Sequence, residues 1–75
     1  MGEKNLVAFG PVLRRLRHGK NLTQDKLSEM IGVASPYISM LESGQNYPNL
    51  AMLFKLADAF EIEAWEIVKA MTDGN

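Results

Sequence analysis

The segment QDKLSEMIGVASPYISMLES, residues 24–43, carries the most specific pattern in this chain. Apolar residues recur in it at intervals of three and four, the spacing that places them on one face of a helix. Gly32 interrupts the pattern and can adopt the left-handed conformation that ends a helix and turns the chain. The small side chain of Ser28 lets two helices cross closely. We therefore predict helices over residues 24–31 and 35–43, with inward-facing Leu27, Met30, Ile31, Ile38 and Leu41.

Helical spacing extends through the rest of the chain, and no stretch shows the sustained period of two that predicts a strand. Pro11 has no N–H to donate, which places the regular start of the first helix near Gly10 and Pro11. Thr23 and Asn49 are suitable N-caps for the second and fourth helices. We predict an all-α bundle of five helices in one domain, residues 1–75, with the helices at about 10–18, 24–31, 35–43, 49–60 and 64–71. The other inward-facing residues are Phe9, Val12, Leu13, Leu16, Leu50, Leu53, Leu56, Ala57 and Phe60. The fifth helix presents Ala64, Ile67, Val68 and Met71 on one side and Trp65 on another.

Length and composition narrow the class of protein. The 75 residues suffice for one small core and contain no cysteine, which excludes disulfides and thiolate metal sites. A secreted domain of this size usually needs disulfides or a bound metal for stability, so we expect a cytoplasmic protein. No apolar run approaches the roughly 18 residues of a membrane span, and we expect no membrane partner.

Charge is distributed unevenly along the chain. The net charge is −1, yet residues 1–48 hold six basic and four acidic side chains, whereas residues 49–75 hold two basic and five acidic ones. A mildly basic front half is compatible with binding nucleic acid on one face. Catalysis finds no support, because there is one histidine, no glycine-rich phosphate loop and no carboxylate pair with an evident partner. We therefore expect no catalytic residue, no metal site and no cofactor.

The chain resembles the Cro and phage-repressor-like helix-turn-helix proteins, also called the xenobiotic-response-element family. The resemblance runs over about residues 9–67 and is carried by LRRLRHGKNLTQDKLSEMIGVASPYISMLESGQNYPNL and then LFKLADAFEI. It implies a five-helix, lambda-repressor-like bundle with a central helix-turn-helix. In that motif the second helix enters a DNA major groove while the first crosses the backbone.

The outward face of the third helix holds the candidate base-reading residues. With Ile38 and Leu41 inward, steps of 100° per residue place Pro36, Met40 and Ser43 outward, with Tyr37 and Ser39 flanking them. The resemblance implies contacts with base edges from Ser35, Pro36, Tyr37, Ser39 and Met40. Because Pro36 and Met40 cannot form side-chain hydrogen bonds to bases, we expect contacts with thymine methyl groups and a large contribution from DNA shape.

Further roles follow from position in the resemblance. Gln24 at the start of the second helix matches a residue that hydrogen-bonds a phosphate. Arg17 and Glu42 match a partly buried ion pair whose role is structural. The full set of candidate phosphate contacts is Thr23, Gln24, Ser43, Gln45, Asn46, Arg14 and Lys20, with an ordinary solvated helix face as the alternative for the last two.

Two residues depart from the family pattern. Ala34 stands where the family usually has a serine or threonine cap, so Ser35 is the alternative N-cap of the third helix. Glu61 replaces the usual glycine between the fourth and fifth helices. It must either adopt a left-handed conformation, at about 1 kcal/mol or more, or the turn has another form.

The fifth helix carries a candidate dimer surface made of Ile62, Trp65, Val68 and Met71, where aromatic and methionine side chains are typical of interfaces. Burial of Trp65 in the core is the alternative. We predict sequence-specific binding of double-stranded DNA by a homodimeric transcriptional regulator, with repression favoured over activation. Two alternatives remain: an antitoxin-like regulator with a protein partner at the fifth helix, and a protein-interaction module with weak or no DNA binding.

Overall fold

Five α-helices make up the fold. The structure is a computed structural model that describes residues 8–72, so the predicted domain limits at residues 1 and 75 lie outside the described residues. The five-helix prediction is confirmed, with each boundary within one residue of its expected place. Between residues 8 and 72 there is no strand, and no helix is long and apolar enough to cross a membrane. The helices are α1 (Phe9–Gly19), α2 (Gln24–Ile31), α3 (Ser35–Ser43), α4 (Leu50–Phe60) and α5 (Ala64–Thr72).

Local signals explain where the helices begin and end. The Thr23 hydroxyl accepts a hydrogen bond from the Lys26 N–H at 3.0 Å, and Asn49 Oδ1 accepts one from the Met52 N–H at 2.8 Å. Each cap satisfies an amide that has no partner inside its own helix. At the other end of α2, Gly32 has φ +76, the left-handed conformation expected of it.

The start of α3 differs from the alternative in which Ser35 is its N-cap. Ala34 occupies the cap position and makes no side-chain hydrogen bond there. Ser35 is the first helical residue, and its hydroxyl donates to Asp25 Oδ1 of α2. That hydrogen bond joins the two helices across the turn, so the serine stabilises the helix pair and not the helix end.

The core lies where α1 and α2 both pack against α3, and α4 and α5 close the other side of the bundle. Its buried apolar residues come from all five helices: Phe9, Val12, Leu13, Leu27, Ile31, Ile38, Leu41, Leu56, Ala57, Phe60 and Ile67. Leu16, Leu53, Ala64 and Met71 are half-buried at its edge.

Two residues predicted to face inward, Met30 and Leu50, are exposed, and so is Val68 on the apolar side of α5. Met30 and Val68 each lie about 100° around their helices from the buried Ile31 and Ile67, and the packing of the neighbouring helices leaves that side exposed. Leu50 is the first residue of α4 and precedes the part of that helix that contacts the core. The inward assignment of Met30 and Leu50 is therefore wrong.

Candidate nucleic-acid interface

The outward face of α3 is the first component of the site. Pro36, Ser39 and Ser43 are exposed, whereas Ser35, Tyr37 and Met40 are half-buried. Tyr37 also packs against the core, so part of its ring serves stability. The expected outward face therefore exists, and it carries no charged side chain, because Glu42, the one charged residue of α3, is buried.

Pro36 lies in the first turn of α3, where its missing N–H costs no helical hydrogen bond. The next residue, Tyr37, donates its N–H to the Ala34 carbonyl at 2.9 Å and continues the turn. Proline thus helps to start α3 and presents an apolar ring at its exposed end.

The turn between α2 and α3 is held by hydrogen bonds that converge on Ser28. Its carbonyl accepts from the N–H groups of Gly32 and Val33 at 2.9 and 3.0 Å, and its hydroxyl donates to the Asp25 carbonyl at 2.6 Å. Together with the Ser35–Asp25 contact, these bonds give α3 a defined orientation on α2.

A buried carboxylate, Glu42, joins three helices behind this face. Its side chain is 1% exposed and accepts four hydrogen bonds. Arg17 of α1 donates two hydrogen bonds to Glu42, from Nε to Oε2 at 2.6 Å and from Nη2 to Oε1 at 3.0 Å. Oε1 also accepts from Arg14 Nε at 3.3 Å and from Gln24 Nε2 at 3.1 Å. The expected Arg17–Glu42 ion pair is therefore one part of a four-residue cluster.

Charges in this cluster stabilise each other. Burial of Glu42 opposes its ionisation, but hydrogen bonds from Arg17 and Gln24, the positive charge of Arg17 and the contact with Arg14 outweigh that effect and hold the pKa below its usual value. The hydrogen bond with Glu42 raises the pKa of Arg17 despite its burial. Both groups therefore remain charged, and the cluster of two guanidinium groups and one carboxylate carries a net positive charge.

The candidate phosphate contacts fall into two groups. Gln24 lies at the start of α2, and Gln45 and Asn46 follow the end of α3, where their N–H groups donate to the Met40 carbonyl at 2.9 and 3.2 Å. Ser43 donates its hydroxyl to the same carbonyl at 3.2 Å. These residues border α3.

Lys20 lies elsewhere: its ammonium group contacts Glu61 Oε1 at 3.1 Å, at the turn between α4 and α5. Glu61 has φ +59 and ψ +40, so it adopts the left-handed conformation that was one of its two expected forms. Lys20 therefore differs from Arg14, whose contact with Glu42 places it beside the start of α2.

Gly10 is a site residue that sequence reasoning missed. A Cβ atom there would overlap the carbonyl oxygen of Glu42 and lie 2.8 Å from its carbonyl carbon. Glycine therefore allows α1 to approach α3 directly behind the Glu42 cluster. One signal in the sequence could have identified it. Glycine lowers the stability of a helix, so a glycine in the first turn of α1 indicates a position where close packing excludes a larger side chain.

The chain belongs to the helix-turn-helix family of the Cro and phage-repressor type, as the resemblance indicated. The profile of the family described as Helix-turn-helix matches residues 13–64. The chain is 40% identical over 62 residues to the HTH-type transcriptional activator BcrR of Enterococcus faecalis, a match that covers 83% of this chain and 30% of that protein. It therefore spans less than a third of the length of this relative.

Solved structures share the fold. The restriction-modification controller protein C.AhdI from Aeromonas hydrophila superposes with a TM-score of 0.77 at 39% identity, over 81% of this chain and 92% of that one. The P22 c2 repressor protein in complex with synthetic operator 9T superposes with a TM-score of 0.75 at 27% identity, over 83% and 94% of the two chains.

Proposed function

We propose that this chain is a non-enzymatic, cytoplasmic transcriptional regulator that binds duplex DNA with α3 in the major groove. The observation that carries the proposal is the outward face of α3, held at a defined angle by the turn at Gly32 and backed by the Glu42 cluster. This arrangement matches the docking geometry of a helix-turn-helix. The operator complex of the P22 c2 repressor supports the assignment of DNA as the ligand.

Base recognition comes from a face with little hydrogen-bonding capacity. Pro36 and Met40 contact thymine methyl groups, and the hydroxyl groups of Ser35, Tyr37 and Ser39 add polar contacts. Without an arginine, lysine, asparagine or glutamine on α3, the bidentate base contacts that discriminate most strongly are absent. Sequence preference therefore depends heavily on DNA shape.

Phosphate contacts orient α3 in the groove. They come from Gln24, whose position at the start of α2 adds the favourable end of the helix dipole, and from the loop at Gln45 and Asn46. Thr23 and Ser43 flank these positions. Arg14 supplies positive charge, and Lys20 contributes only if its exposed pair with Glu61 opens.

Binding affinity for two DNA pools tests this assignment. Fluorescence anisotropy measures Kd for random-sequence duplexes and for duplexes selected from the same pool. Gln24→Ala raises Kd for both pools by a similar factor, since phosphates carry no sequence information. Met40→Ala changes the ratio of Kd for random duplexes to Kd for selected duplexes. Met30→Ala is the matched control, because that methionine is exposed on α2 and not on α3. An equal effect of Met40→Ala on both pools would remove Met40 from the reading set.

A homodimer fits this function, because one unit contacts few base pairs while two units reach half-sites about one helical turn apart. Trp65 is 62% exposed and Val68 is exposed beside it, with Ile62 and Met71 half-buried. We propose that a second copy covers this α5 surface. Trp65→Ala lowers the sedimentation mass to that of a monomer, whereas Phe54→Ala, which also removes an exposed aromatic ring but from α4, does not. A wild-type monomer at tens of micromolar contradicts the dimer.

A protein-interaction module is the second candidate function. It is favoured by the uncharged outward face of α3 and by the net charge of −1. DNA binders release counterions and lose affinity steeply as salt rises. Absence of any binding to random duplex DNA at low salt would select the module, with the α5 surface as the site for its protein partner.

A further inference from the structure

We propose that Glu42 is a positioning residue for DNA binding, which holds Arg14 so that its free guanidinium edge meets a phosphate. This inference rests on the proposed DNA binding and deepens it, since it assigns a binding role to a carboxylate that looks purely structural. Three observations carry it: the way Arg14 is held, its distance from Gln24, and the charge of the cluster.

Arg14 is held by one edge only. Its Nε donates to Glu42 Oε1, and within residues 8–72 its two terminal nitrogens make no hydrogen bond. The side chain is 51% exposed, so about half of it remains open to solvent beside this one contact. Arg17 is the opposite case: Nε, Nη1 and Nη2 all donate within the protein and the side chain is 10% exposed. Arg17 therefore holds the Glu42 carboxylate in place, whereas the terminal N–H groups of Arg14 remain available to a ligand.

Arg14 and Gln24 lie close to one another because both donate to the same oxygen, Glu42 Oε1, at 3.3 and 3.1 Å. The two donor nitrogens cannot be further apart than the sum of those distances. Terminal guanidinium nitrogens of Arg14 and the first turn of α2 therefore border one small area of surface. A single phosphate, or two adjacent ones on the same strand, can be reached from both residues.

Charge makes the arrangement favourable for an anion. Arg17 neutralises the buried carboxylate, which leaves the positive charge of Arg14 uncompensated in the cluster. A planar guanidinium with a free edge can donate two parallel hydrogen bonds to a phosphate, whereas a lysine ammonium is a compact point charge without this fixed geometry. Because the side chain is already ordered, less conformational entropy is lost on binding. A chain of net charge −1 thus has a localised positive site beside α3.

Arg15 provides a matched comparison. It has the same charge, lies one residue away on α1, is exposed, and makes no hydrogen bond or ion pair with the described residues. Any effect of overall charge on DNA affinity is the same for both arginines. A larger loss of DNA affinity on replacing Arg14 than on replacing Arg15 therefore measures the effect of the position that Glu42 gives to Arg14.

The experiment measures Kd for random-sequence duplex DNA by anisotropy between about 50 and about 200 mM salt. We expect Arg14→Ala to weaken binding about tenfold and Arg15→Ala by less than about threefold, the difference being of the size that immobilising one long side chain costs. Arg14→Lys keeps the charge and restores only that share of the loss, no more than about threefold, while Arg15→Lys equals wild type. Unfolding midpoints confirm that all four variants are folded.

A Glu42→Gln background tests the positioning role itself. We expect the preference for arginine over lysine at position 14 to disappear there, a change that a purely structural Glu42 would not produce. If that background does not fold, the Arg14 and Arg15 comparison decides alone. Equal losses for the two alanine variants, or an Arg14→Lys variant that binds as wild type does, would overturn the inference while leaving DNA binding intact. Absence of wild-type binding at low salt would instead refute the proposed function, and this inference with it.

Discussion

Replacing Gly10 with alanine tests how closely α1 and α3 must approach. The new Cβ would lie 2.8 Å from the Glu42 carbonyl carbon and 3.0 Å from the Leu41 carbonyl oxygen. Favourable contact between carbon atoms begins at about 3.5 Å, so the helices must separate by roughly 0.7 Å or more. Every atom in the way is backbone, and no side-chain rotation can relieve the overlap.

The expected cost is that of overpacking a core, about 1–3 kcal/mol. A domain of this size has a free energy of unfolding of roughly 4–11 kcal/mol, so the loss is a large share of the total. In urea, with an m-value of about 1 kcal/mol per molar, the midpoint falls by about 1–3 M.

Gly19→Ala is the control, because this glycine lies at the other end of α1 and a Cβ there meets nothing within 4 Å. Both changes remove the same flexibility from the unfolded chain, which alone stabilises by about 0.4–1 kcal/mol. We therefore expect the two variants to move in opposite directions. Urea midpoints for Gly10→Ala that match those of Gly19→Ala would show that α1 and α3 are not in close contact.

Three further predictions concern Glu42, Glu61 and Asn49. Because the folded state holds the pKa of Glu42 below its usual 4.5, its stabilising effect is fully present above that pH and is lost as the pH falls through the lower folded pKa. Urea midpoints at acidic and neutral pH should thus differ less in a folded Glu42→Gln variant than in wild type, and equal differences would contradict this. Glu61→Gly relieves a left-handed conformation and should raise stability by about 0.5–1 kcal/mol, since the exposed pair with Lys20 contributes little; a lower Tm would refute it. Asn49→Ala should lower stability by about 1 kcal/mol through loss of the cap on α4, whereas Asn49→Asp, which keeps the acceptor, should not.

Helix boundaries could be predicted because their signals are local. A cap such as Thr23 or Asn49 acts on an amide three residues away, and the left-handed turn at Gly32 needs only glycine itself. Burial at the edges of helices could not be predicted in the same way. Met30 and Val68 are apolar and lie beside a buried residue, and only the packing of neighbouring helices decides which of the two rows is covered.

For the candidate site, the outward face of α3 followed from the inward direction of Ile38 and Leu41 alone. The Arg14–Glu42 and Gln24–Glu42 hydrogen bonds did not, because they join residues 28 and 18 positions apart. Helical spacing places Arg14, and not Arg15, on the same face of α1 as Arg17, but only the packing of α1 against α3 brings Arg14 to Glu42.

The five helices, the turn at Gly32 and the family follow from the sequence alone, because each depends on residues close together in the chain or on a pattern with a fixed period. The contact of Gly10 with the end of α3, and the hydrogen bonds that add Arg14 and Gln24 to the expected Arg17–Glu42 pair, are seen only in the folded chain. Those contacts exist because α1 and α2 pack on the same helix, and the distances between their side chains are set by that packing.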